Sequence, residues 1–272
     1  MPVPAGSTVA IYVKPGHPQA QRMVAELATW LQARGLRPLP DAPAGTAPAL
    51  AVVLGGDGTM LHVAPRLAAS GTPILAVHLG TLGFLTEIAL PQMYSALELA
   101  LAGTAVGQPR AMLAARLEPA DGAAAEFLAL NEIVLGKGEL ARMVRIDVTV
   151  NGEPLARYRA DGVLVGTPTG STAYNFSAGG AVVHPAVPAL LITPICPHAL
   201  NQRPLVVPAS SEIVLALAPD SAPAFVTLDG QHGHALHPGD RLLCRNSPYV
   251  LTLLTPAPAS FFGSLRAKLN WA

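Results

Sequence analysis

An apolar run that ends in a glycine-rich turn restricts the fold of this chain more than any other feature. Ala49–Leu54 is entirely apolar, and Gly55–Thr59 (Gly-Gly-Asp-Gly-Thr) follows it at once. A helical pattern of about ten residues then runs to Ala69. A strand apolar along its whole length is typical of a sheet buried on both faces, and such sheets are mostly parallel.

The rest of the first hundred residues repeats this alternation. Thr8–Lys14 and Pro73–His78 have the pattern of buried strands, and Pro18–Ala33 and Pro91–Leu101 have that of helices. We therefore expect residues 1–107 to form an α/β domain with a parallel, Rossmann- or flavodoxin-like sheet covered by helices on both faces.

After Gly107 the pattern changes to short strands separated by turns. The predicted strands are Phe127–Leu135, Val144–Val150, Leu155–Arg159, Gly162–Val165, Leu205–Val207, Glu212–Leu217, Ala224–Leu228, Arg241–Leu243 and Tyr249–Leu254. Asn151-Gly152 lies between two of them and predicts a tight hairpin. Residues 108–255 are thus expected to be a mainly antiparallel, all-β domain. In the last segment, 256–272, a helix over Ser260–Trp271 is expected to pack back on the first domain.

Composition excludes two broad classes of function. Lys+Arg and Asp+Glu both number 17, so the net charge is zero, and only 12% of residues are charged, which argues against a protein that coats nucleic acid. The mean hydropathy is +0.41, but prolines and histidines interrupt the most apolar long stretch, Ala181–Leu200, so we expect no membrane span. The first residues lack a signal-peptide pattern, and the two cysteines form no framework, which favours a cytoplasmic protein.

The turn Gly55–Thr59 has the chemistry of a phosphate site. Gly55, Gly56 and Gly58 carry no side chains, so phosphate oxygens can approach backbone N–H groups at the positive end of the helix that begins near Thr59. Asp57 would repel a phosphate, but it suits a hydroxyl, as the base or orienter of a nucleophile. The alternative is that Asp57 only caps the helix.

Three further segments reduce the number of reactions that the chain could catalyse. Ala76–Glu87, Leu130–Val134 and Asp161–Gly180 follow Gly55–Thr59 in order, and together they closely resemble the bacterial NAD kinase family. The resemblance runs from about residue 51 through residue 231 and weakly to residue 271. Asp161–Gly180 is its most specific segment, whereas Asn131-Glu132 is a weak signal by itself.

The resemblance implies a reaction and its partners. Such kinases transfer the terminal phosphoryl group of ATP to the 2′-hydroxyl of the adenosine ribose of NAD, giving NADP. A divalent metal, Mg²⁺, is expected to arrive with ATP rather than at a fixed protein site. Members of the family are homodimers or homotetramers. Polyphosphate as a donor, and NADH as an acceptor, stay open.

The resemblance also assigns roles to residues. Asp57 matches the proton acceptor, Gly58 its neighbour at the phosphates, and Asn131 and Glu132 the pair that holds the NAD ribose. The other positions that match ligand contacts are Arg142, Arg159, Asp161, Thr169, Thr172, Ala173, Tyr174, Asn175, Phe176, Ser177 and Gln231.

The residue types suit these roles, but each has a simpler explanation. Tyr174 can stack on a base, and Asn131 offers a donor and an acceptor to sugar hydroxyls. Taken alone, Tyr174 is better explained as a half-buried aromatic and Asn131 as a turn residue. Glu132 on the same terms is a solvated strand residue, and Arg142 and Arg159 are surface charges on a strand. Their joint presence in the expected order favours the binding roles.

Other patterns carry less weight. Gly136–Ala141 fits a dinucleotide fingerprint, but strand-like residues follow it, so we expect a hairpin loop. His232, His234 and His237 lie among glycines and proline, which predicts a solvated turn rather than a metal site. His62 lies one turn into the helix after the glycine turn, where it can reach a phosphate or simply occupy an exposed face.

Competing functions share parts of this pattern. Lipid kinases of the diacylglycerol or sphingosine type also use Gly-Gly-Asp-Gly-Thr before a helix, but they are expected to lack Asp161–Gly180. Phosphofructokinase-like sugar kinases are longer and richer in arginine. A nucleotide-sensing protein on the same fold has no need of Asp57 beside a hydroxyl.

Overall fold

The structure is a computed structural model that describes residues 1–14, 16, 18–138, 143–258 and 260–271, with the side chain of His232 excepted. The chain divides into two compact units, Met1–Arg110 with Tyr249–Ala272, and Ala111–Pro248. The boundaries of these units fall within two long strands.

Helices and strands are numbered in chain order. The helices are α1 Pro18–Gln32, α2 Asp57–Ala68, α3 Met93–Leu101, α4 Tyr174–Ser177 and α5 Phe261–Leu269. The strands are β1 Thr8–Val13, β2 Arg37–Pro40, β3 Leu50–Gly55, β4 Ile74–His78, β5 Ile88–Ala89, β6 Val106–Glu118, β7 Ala125–Ala129, β8 Glu132–Lys137, β9 Val144–Val150, β10 Glu153–Ala160, β11 Gly162–Gly166, β12 Ala189–Ile195, β13 Leu205–Pro208, β14 Glu212–Leu217, β15 Ala224–Leu228, β16 His232–Leu236 and β17 Arg241–Thr255. Short 3₁₀ turns occupy Leu90–Gln92 and Thr169–Thr172.

The first unit contains the parallel sheet that the sequence predicts. Its strands lie in the order β2-β1-β3-β4, all parallel, and the end of β17 pairs with β4 in the same direction. Every residue of β3 is buried, so both faces of the sheet are covered. One face packs against α1 and α3, through residues such as Leu27 and Leu97. The predicted α/β fold is therefore confirmed.

One strand of this sheet has no sequence signal. β2 contains Pro38 and Pro40 and lies at the edge, where a missing N–H costs no ladder bond. The C-terminal helix α5 begins one residue later than expected and ends at Leu269, with Ser260 as its N-cap. Its Ser264 hydroxyl donates to Glu87, so α5 packs within the first unit.

The second unit is built from antiparallel strands, as predicted. One sheet has the order β13-β12-β11-β8-β15-β16, and β10, β9, β14 and the first part of β17 form a second antiparallel set. A large buried cluster, including Leu135, Val148, Val165, Leu190 and Leu215, draws residues from both sets. The core of this unit therefore lies between two layers of sheet.

Some of the turns and strands predicted for the second unit agree with the structure and others do not. The Asn151-Gly152 hairpin is confirmed, with φ of 53° and 81° at its two residues. Phe127–Leu135 is not one strand, because β7 and β8 are separated at Leu130-Asn131. The turn expected around the histidines is wrong for His232 and His234, because His232–Leu236 forms β16 and the His234 ring packs on Phe127 at 4.4 Å between centroids. His237 lies in an exposed turn after β16, as expected. The loop expected at Gly136–Ala141 lies partly outside the described residues.

Among the described residues, no helix is both long enough and apolar enough to cross a membrane.

Candidate active site

In the first unit the glycine turn joins β3 directly to α2. A Cβ at Gly55 would lie 2.7 Å from Cβ of Thr59 and would also overlap the Thr59 hydroxyl, so this position requires glycine. A Cβ at Gly56 or Gly58 would meet nothing within 4 Å. The backbone of Gly56 and Gly58 therefore borders open space, where a ligand can approach the start of α2.

The Asp57 carboxylate is held by the segment that follows β4. Oδ2 accepts a hydrogen bond from the N–H of Phe84 at 2.7 Å. Oδ1 accepts three more, from the N–H of Leu85 at 3.1 Å and from the N–H and hydroxyl of Thr86 at 3.2 and 3.1 Å. Asp57 is the first residue of α2, and the N-cap, Gly56, has no side-chain cap bond. The alternative that Asp57 merely caps its helix is therefore wrong.

The segment around Asp57 is packed too closely to accept a side chain at its glycine. A Cβ at Gly83 would overlap the Asp57 carboxylate and the Thr86 hydroxyl. Thr86 is fully buried and Leu85 is 5% exposed, so two of the three residues that donate to Asp57 are packed in the interior. Sequence reasoning singled out Ala76–Glu87 as a motif but did not connect it with Asp57. Of the remaining predicted residues in this unit, His62 is exposed and Thr59 is half-buried.

In the second unit Asn131 and Glu132 lie at the bend between β7 and β8. The bend is held on one side by Thr167, whose N–H donates to Asn131 O at 2.8 Å and whose hydroxyl donates to Leu130 O at 2.6 Å. A Cβ at Gly170 would lie 2.7 Å from Cα of Asn131, so only glycine fits there. The Asp161–Gly180 segment thus packs directly against the Asn131-Glu132 pair.

Asp229 holds the same bend from the other side. Its carboxylate accepts hydrogen bonds from the N–H groups of Leu130, Asn131 and Glu132, at 2.7, 2.8 and 3.0 Å. Asp229 and Gly230 both have positive φ, 48° and 64°, in the turn between β15 and β16. Sequence reasoning used this turn only for Gln231; the Asp-Gly pair between two strands is the signal that could have found Asp229.

Glu132 is buried without a full set of partners. It is 7% exposed, and its Oε2 atom has no hydrogen-bond partner among the residues that the structure describes. Burial, with the nearby Asp229 carboxylate adding to it, raises the pKa of Glu132 from an ordinary 4.5 to about 8. Near neutral pH Glu132 is therefore largely protonated, and its carboxyl group can donate a hydrogen bond.

The residues that follow β11 differ in exposure. Thr169 and Asn175 are buried, Thr172 and Ala173 are half-buried, and Tyr174, Phe176 and Ser177 are exposed. The Asn175 side chain is fully engaged: its Nδ2 donates to Ser171 O and Ala181 O, and its Oδ1 accepts from the Thr193 hydroxyl at 2.6 Å. Tyr174 is 44% exposed, and burial of the rest of the ring raises its pKa.

Strand register separates the remaining predicted residues. β11 pairs with β8 so that Gly166 faces Glu132 and Gly162 faces Gly136. Asp161 therefore lies at the opposite end of β11 from Glu132, where Lys137 Nζ forms an ion pair with it at 2.8 Å. Burial is the main cause of the raised pKa of the Tyr174 hydroxyl, and Asp161 and, once ionised, Glu132 both add to it. Arg159 and Gln231 are exposed, and Arg142 lies outside the described residues.

Comparison with known proteins decides the family. The ATP-NAD kinase N-terminal domain matches residues 42–105, and the ATP-NAD kinase C-terminal domain matches residues 130–255. The chain belongs to the ATP-NAD kinase family. An NAD kinase of Koribacter versatilis is 42% identical to it, over 97% of this chain and 98% of that protein. An NAD kinase of Geobacter metallireducens is also 42% identical, with the same coverage.

Solved structures of the family have the same fold. Yeast NADH kinase complexed with NADH superposes with a TM-score of 0.91 at 27% identity, covering 98% of this chain and 88% of that one. An NAD kinase from Archaeoglobus fulgidus in complex with ATP gives 0.79 at 26% identity, covering 96% and 99%. The protein is thus a phosphotransferase that uses ATP to convert NAD to NADP.

Proposed function

We propose that the phosphoryl group is transferred to the 2′-hydroxyl of the adenosine ribose of NAD, and that Asp57 accepts the proton of that hydroxyl. One observation carries the proposal: a carboxylate anchored by four hydrogen bonds stands at a glycine turn whose backbone is open. A fixed carboxylate loses no orientational freedom when it meets a hydroxyl, which is what general-base catalysis requires. Gly55, Gly56, Gly58 and Thr59 present the helix N-terminus to the phosphates of ATP, and His62 lies one turn further along α2.

The second unit binds NAD in this proposal. Asn131 and Glu132 hold the ribose, because their bend is fixed from both sides by Thr167 and Asp229. Glu132 donates a hydrogen bond rather than accepting one, as its buried and protonated carboxyl group allows. Exposed Tyr174 stacks on a base.

Other residues of the predicted set divide between binding and support. The contacts with NAD come from Thr169, Thr172, Ala173, Phe176, Ser177, Asp161, Arg159, Arg142 and Gln231. Asn175 supports the turn from within, because its amide group is used by the protein itself. Lys137 forms an ion pair with Asp161, whose carboxylate is proposed to bind a base of NAD.

Mg²⁺ is the proposed divalent metal, and it enters with the phosphates of ATP. Asp57 Oδ1 already accepts three hydrogen bonds and Oδ2 accepts one, and in this proposal the open lone pair of Oδ2 serves the hydroxyl rather than the metal. In the described part of the chain, no three His, Cys, Asp or Glu side chains form a group fit for a metal ion. Bound to the phosphates, the metal would neutralise charge on the transferred group. We further propose a cytoplasmic homodimer or homotetramer.

The position of the new phosphate tests the proposal. Purified protein is incubated with ATP, Mg²⁺ and NAD, and the product is analysed by ³¹P and ¹H NMR, with diacylglycerol in place of NAD as a parallel reaction. We expect NADP with its phosphate on the 2′-oxygen, and no lipid product. A phosphate on any other hydroxyl would contradict the proposed acceptor. A reaction with polyphosphate in place of ATP defines the donor range.

A further inference from the structure

The C-terminal helix α5 carries a buried lysine, Lys268, to which the proposed function gives no role. Lys268 Nζ is inaccessible to solvent and has no hydrogen-bond acceptor among the described residues. It lies 4.1 Å from the centroid of the Phe84 ring. Phe84 is the residue whose N–H donates to Asp57 Oδ2, so the ammonium group contacts the side chain of a residue in the turn that holds this carboxylate.

The surroundings of Lys268 are acidic. The charges of Asp57 and Glu87 both act on its ammonium group and oppose the effect of burial, which lowers its pKa. Ser264, one turn earlier on α5, donates to Glu87 Oε1 at 3.3 Å. The charge of Glu87 also acts on Arg110. Unlike Lys268, however, Arg110 has a hydrogen-bond acceptor, because its Nη2 donates to Gln108 Oε1 at 2.6 Å. Lys268 therefore joins Asp57 and Glu87 in one partly buried group of charges.

A buried ammonium group without an acceptor is costly, and a cation over an aromatic ring offsets only part of that cost. Such a group persists where it compensates nearby negative charge. The proposed function adds more negative charge at this place, because the phosphates of ATP would approach Gly56 and Gly58, beside Asp57. Like charges that come close together in a partly buried site repel each other strongly.

We propose that Lys268 is a charge-compensating residue for ATP: it offsets the repulsion between the Asp57 carboxylate and the phosphates, and so makes an acidic residue tolerable in an anion-binding turn. The inference rests on the proposed function of the glycine turn. It assigns the C-terminal helix α5 to the donor site rather than to packing alone. Because the charge of Lys268 is present throughout the reaction, it strengthens ATP binding more than it speeds phosphoryl transfer.

The test compares ATP affinity among variants by titration calorimetry in the presence of Mg²⁺. Lys268→Met, which keeps the length of the side chain but not its charge, is expected to weaken ATP binding about tenfold to a hundredfold. Lys268→Arg keeps the charge and is expected to stay within about threefold of the wild type. Arg266→Met, an exposed cation on the same helix, is the matched control and should leave ATP affinity unchanged.

A double variant tests whether the charges of Asp57 and Lys268 have opposite effects of similar size on ATP binding. Asp57→Asn combined with Lys268→Met removes one charge of each sign, so ATP affinity should return to within about threefold of the wild type. If Lys268 only supports the fold, Lys268→Arg binds ATP as weakly as Lys268→Met, and the proposal is overturned. Equal ATP affinity for Lys268→Met and Arg266→Met would also overturn it.

Stability is controlled in the same experiment. Thermal unfolding is recorded for each variant, and Lys268→Gln replaces Lys268→Met if the latter does not fold at the assay temperature. The KM for NAD serves as an internal reference and should not change. Wild-type protein that forms no NADP would refute the proposed function itself, whereas active wild type with unaffected Lys268 variants would refute only the role of Lys268.

Discussion

Each of the two units has an acidic residue at the centre of its candidate site, but the two residues differ in their hydrogen bonding and protonation. Asp57 in the first unit accepts four hydrogen bonds, and both of its oxygens are used. Glu132 in the second unit is buried, and its Oε2 atom has no partner in the described part of the chain. One carboxyl group is thus fixed as an acceptor, whereas the other is kept protonated and able to donate.

This difference shows how one chain assigns different tasks to similar side chains. What distinguishes Asp57 from Glu132 is the supply of backbone N–H groups. The turn at 84–86 directs its N–H groups at Asp57, while those of the bend at 130–132 are taken by Asp229 instead. Asp229 therefore both orients the bend and leaves the Glu132 carboxyl without compensation.

The largest expected effect is on Asp57. Asp57→Asn removes the proposed proton acceptor, so kcat should fall by about 10²- to 10⁴-fold. The KM for NAD should change little, because NAD is bound by the second unit in this account. Steady-state kinetics with ATP and NAD measures both quantities.

Thr86→Val is the control for the loss of hydrogen bonds to Asp57. It removes the hydroxyl that donates to Oδ1 at 3.1 Å but leaves the three backbone donors. We expect a loss in kcat of no more than about tenfold. If Thr86→Val were as damaging as Asp57→Asn, the carboxylate would be acting through the fold and not through proton transfer.

A smaller effect is expected at Asp229. Asp229→Asn replaces one carboxylate oxygen with an NH2 group, so at least one of the three backbone N–H groups at the bend loses its acceptor, which should cost about 2 kcal/mol and displace Asn131 and Glu132. The KM for NAD should rise about tenfold to a hundredfold, with kcat less affected. Kinetics and urea unfolding together measure the two effects.

Asp240 provides the matched control, because it is also a buried carboxylate in the second unit. It accepts hydrogen bonds from the N–H groups of Ala120 and His237, each at 2.8 Å, and has no bond to the bend. Asp240→Asn should lower stability by a similar amount and leave the KM for NAD unchanged. An equal rise in KM for both variants would show that Asp229 has no specific role at the bend.

The last effect concerns stability alone, through its dependence on pH. The unfolded chain releases the Glu132 proton near pH 4.5 and the folded chain near pH 8, so the folded state holds one more proton between these values. The free energy of unfolding should therefore fall as pH rises through this window, by at most about 1.4 kcal/mol per pH unit. Glu132→Gln removes that contribution.

Thermal unfolding at several pH values measures this contribution of Glu132 to stability. Glu132→Gln should unfold close to the wild-type temperature at pH 5 and at a higher temperature than the wild type at pH 8. Glu153→Gln, at an exposed position on β10, should follow the wild type throughout. A wild-type curve that runs parallel to that of Glu132→Gln would mean that Glu132 is ionised in the folded protein.

Local patterns made the fold predictable, while long-range contacts completed the candidate site. The buried strand Leu50–Gly55, the glycine turn and the Asn151-Gly152 hairpin are all encoded by neighbouring residues. β2 was not predicted, because two of its four residues are prolines, which are tolerated only in an edge strand. Asp229, Phe84 and Lys268 lie far in sequence from the residues that they support, so no local pattern indicates those contacts.

The most direct test of the difference between the two carboxyl groups is the affinity for NAD as a function of pH. If Glu132 donates a hydrogen bond to NAD, the wild type should bind NAD with constant affinity up to about pH 8 and then lose roughly tenfold per pH unit. Glu132→Gln, which can always donate, should show no such loss between pH 7 and pH 9 by titration calorimetry. The same loss of affinity in the wild type and in Glu132→Gln would contradict the assignment of Glu132 as a donor.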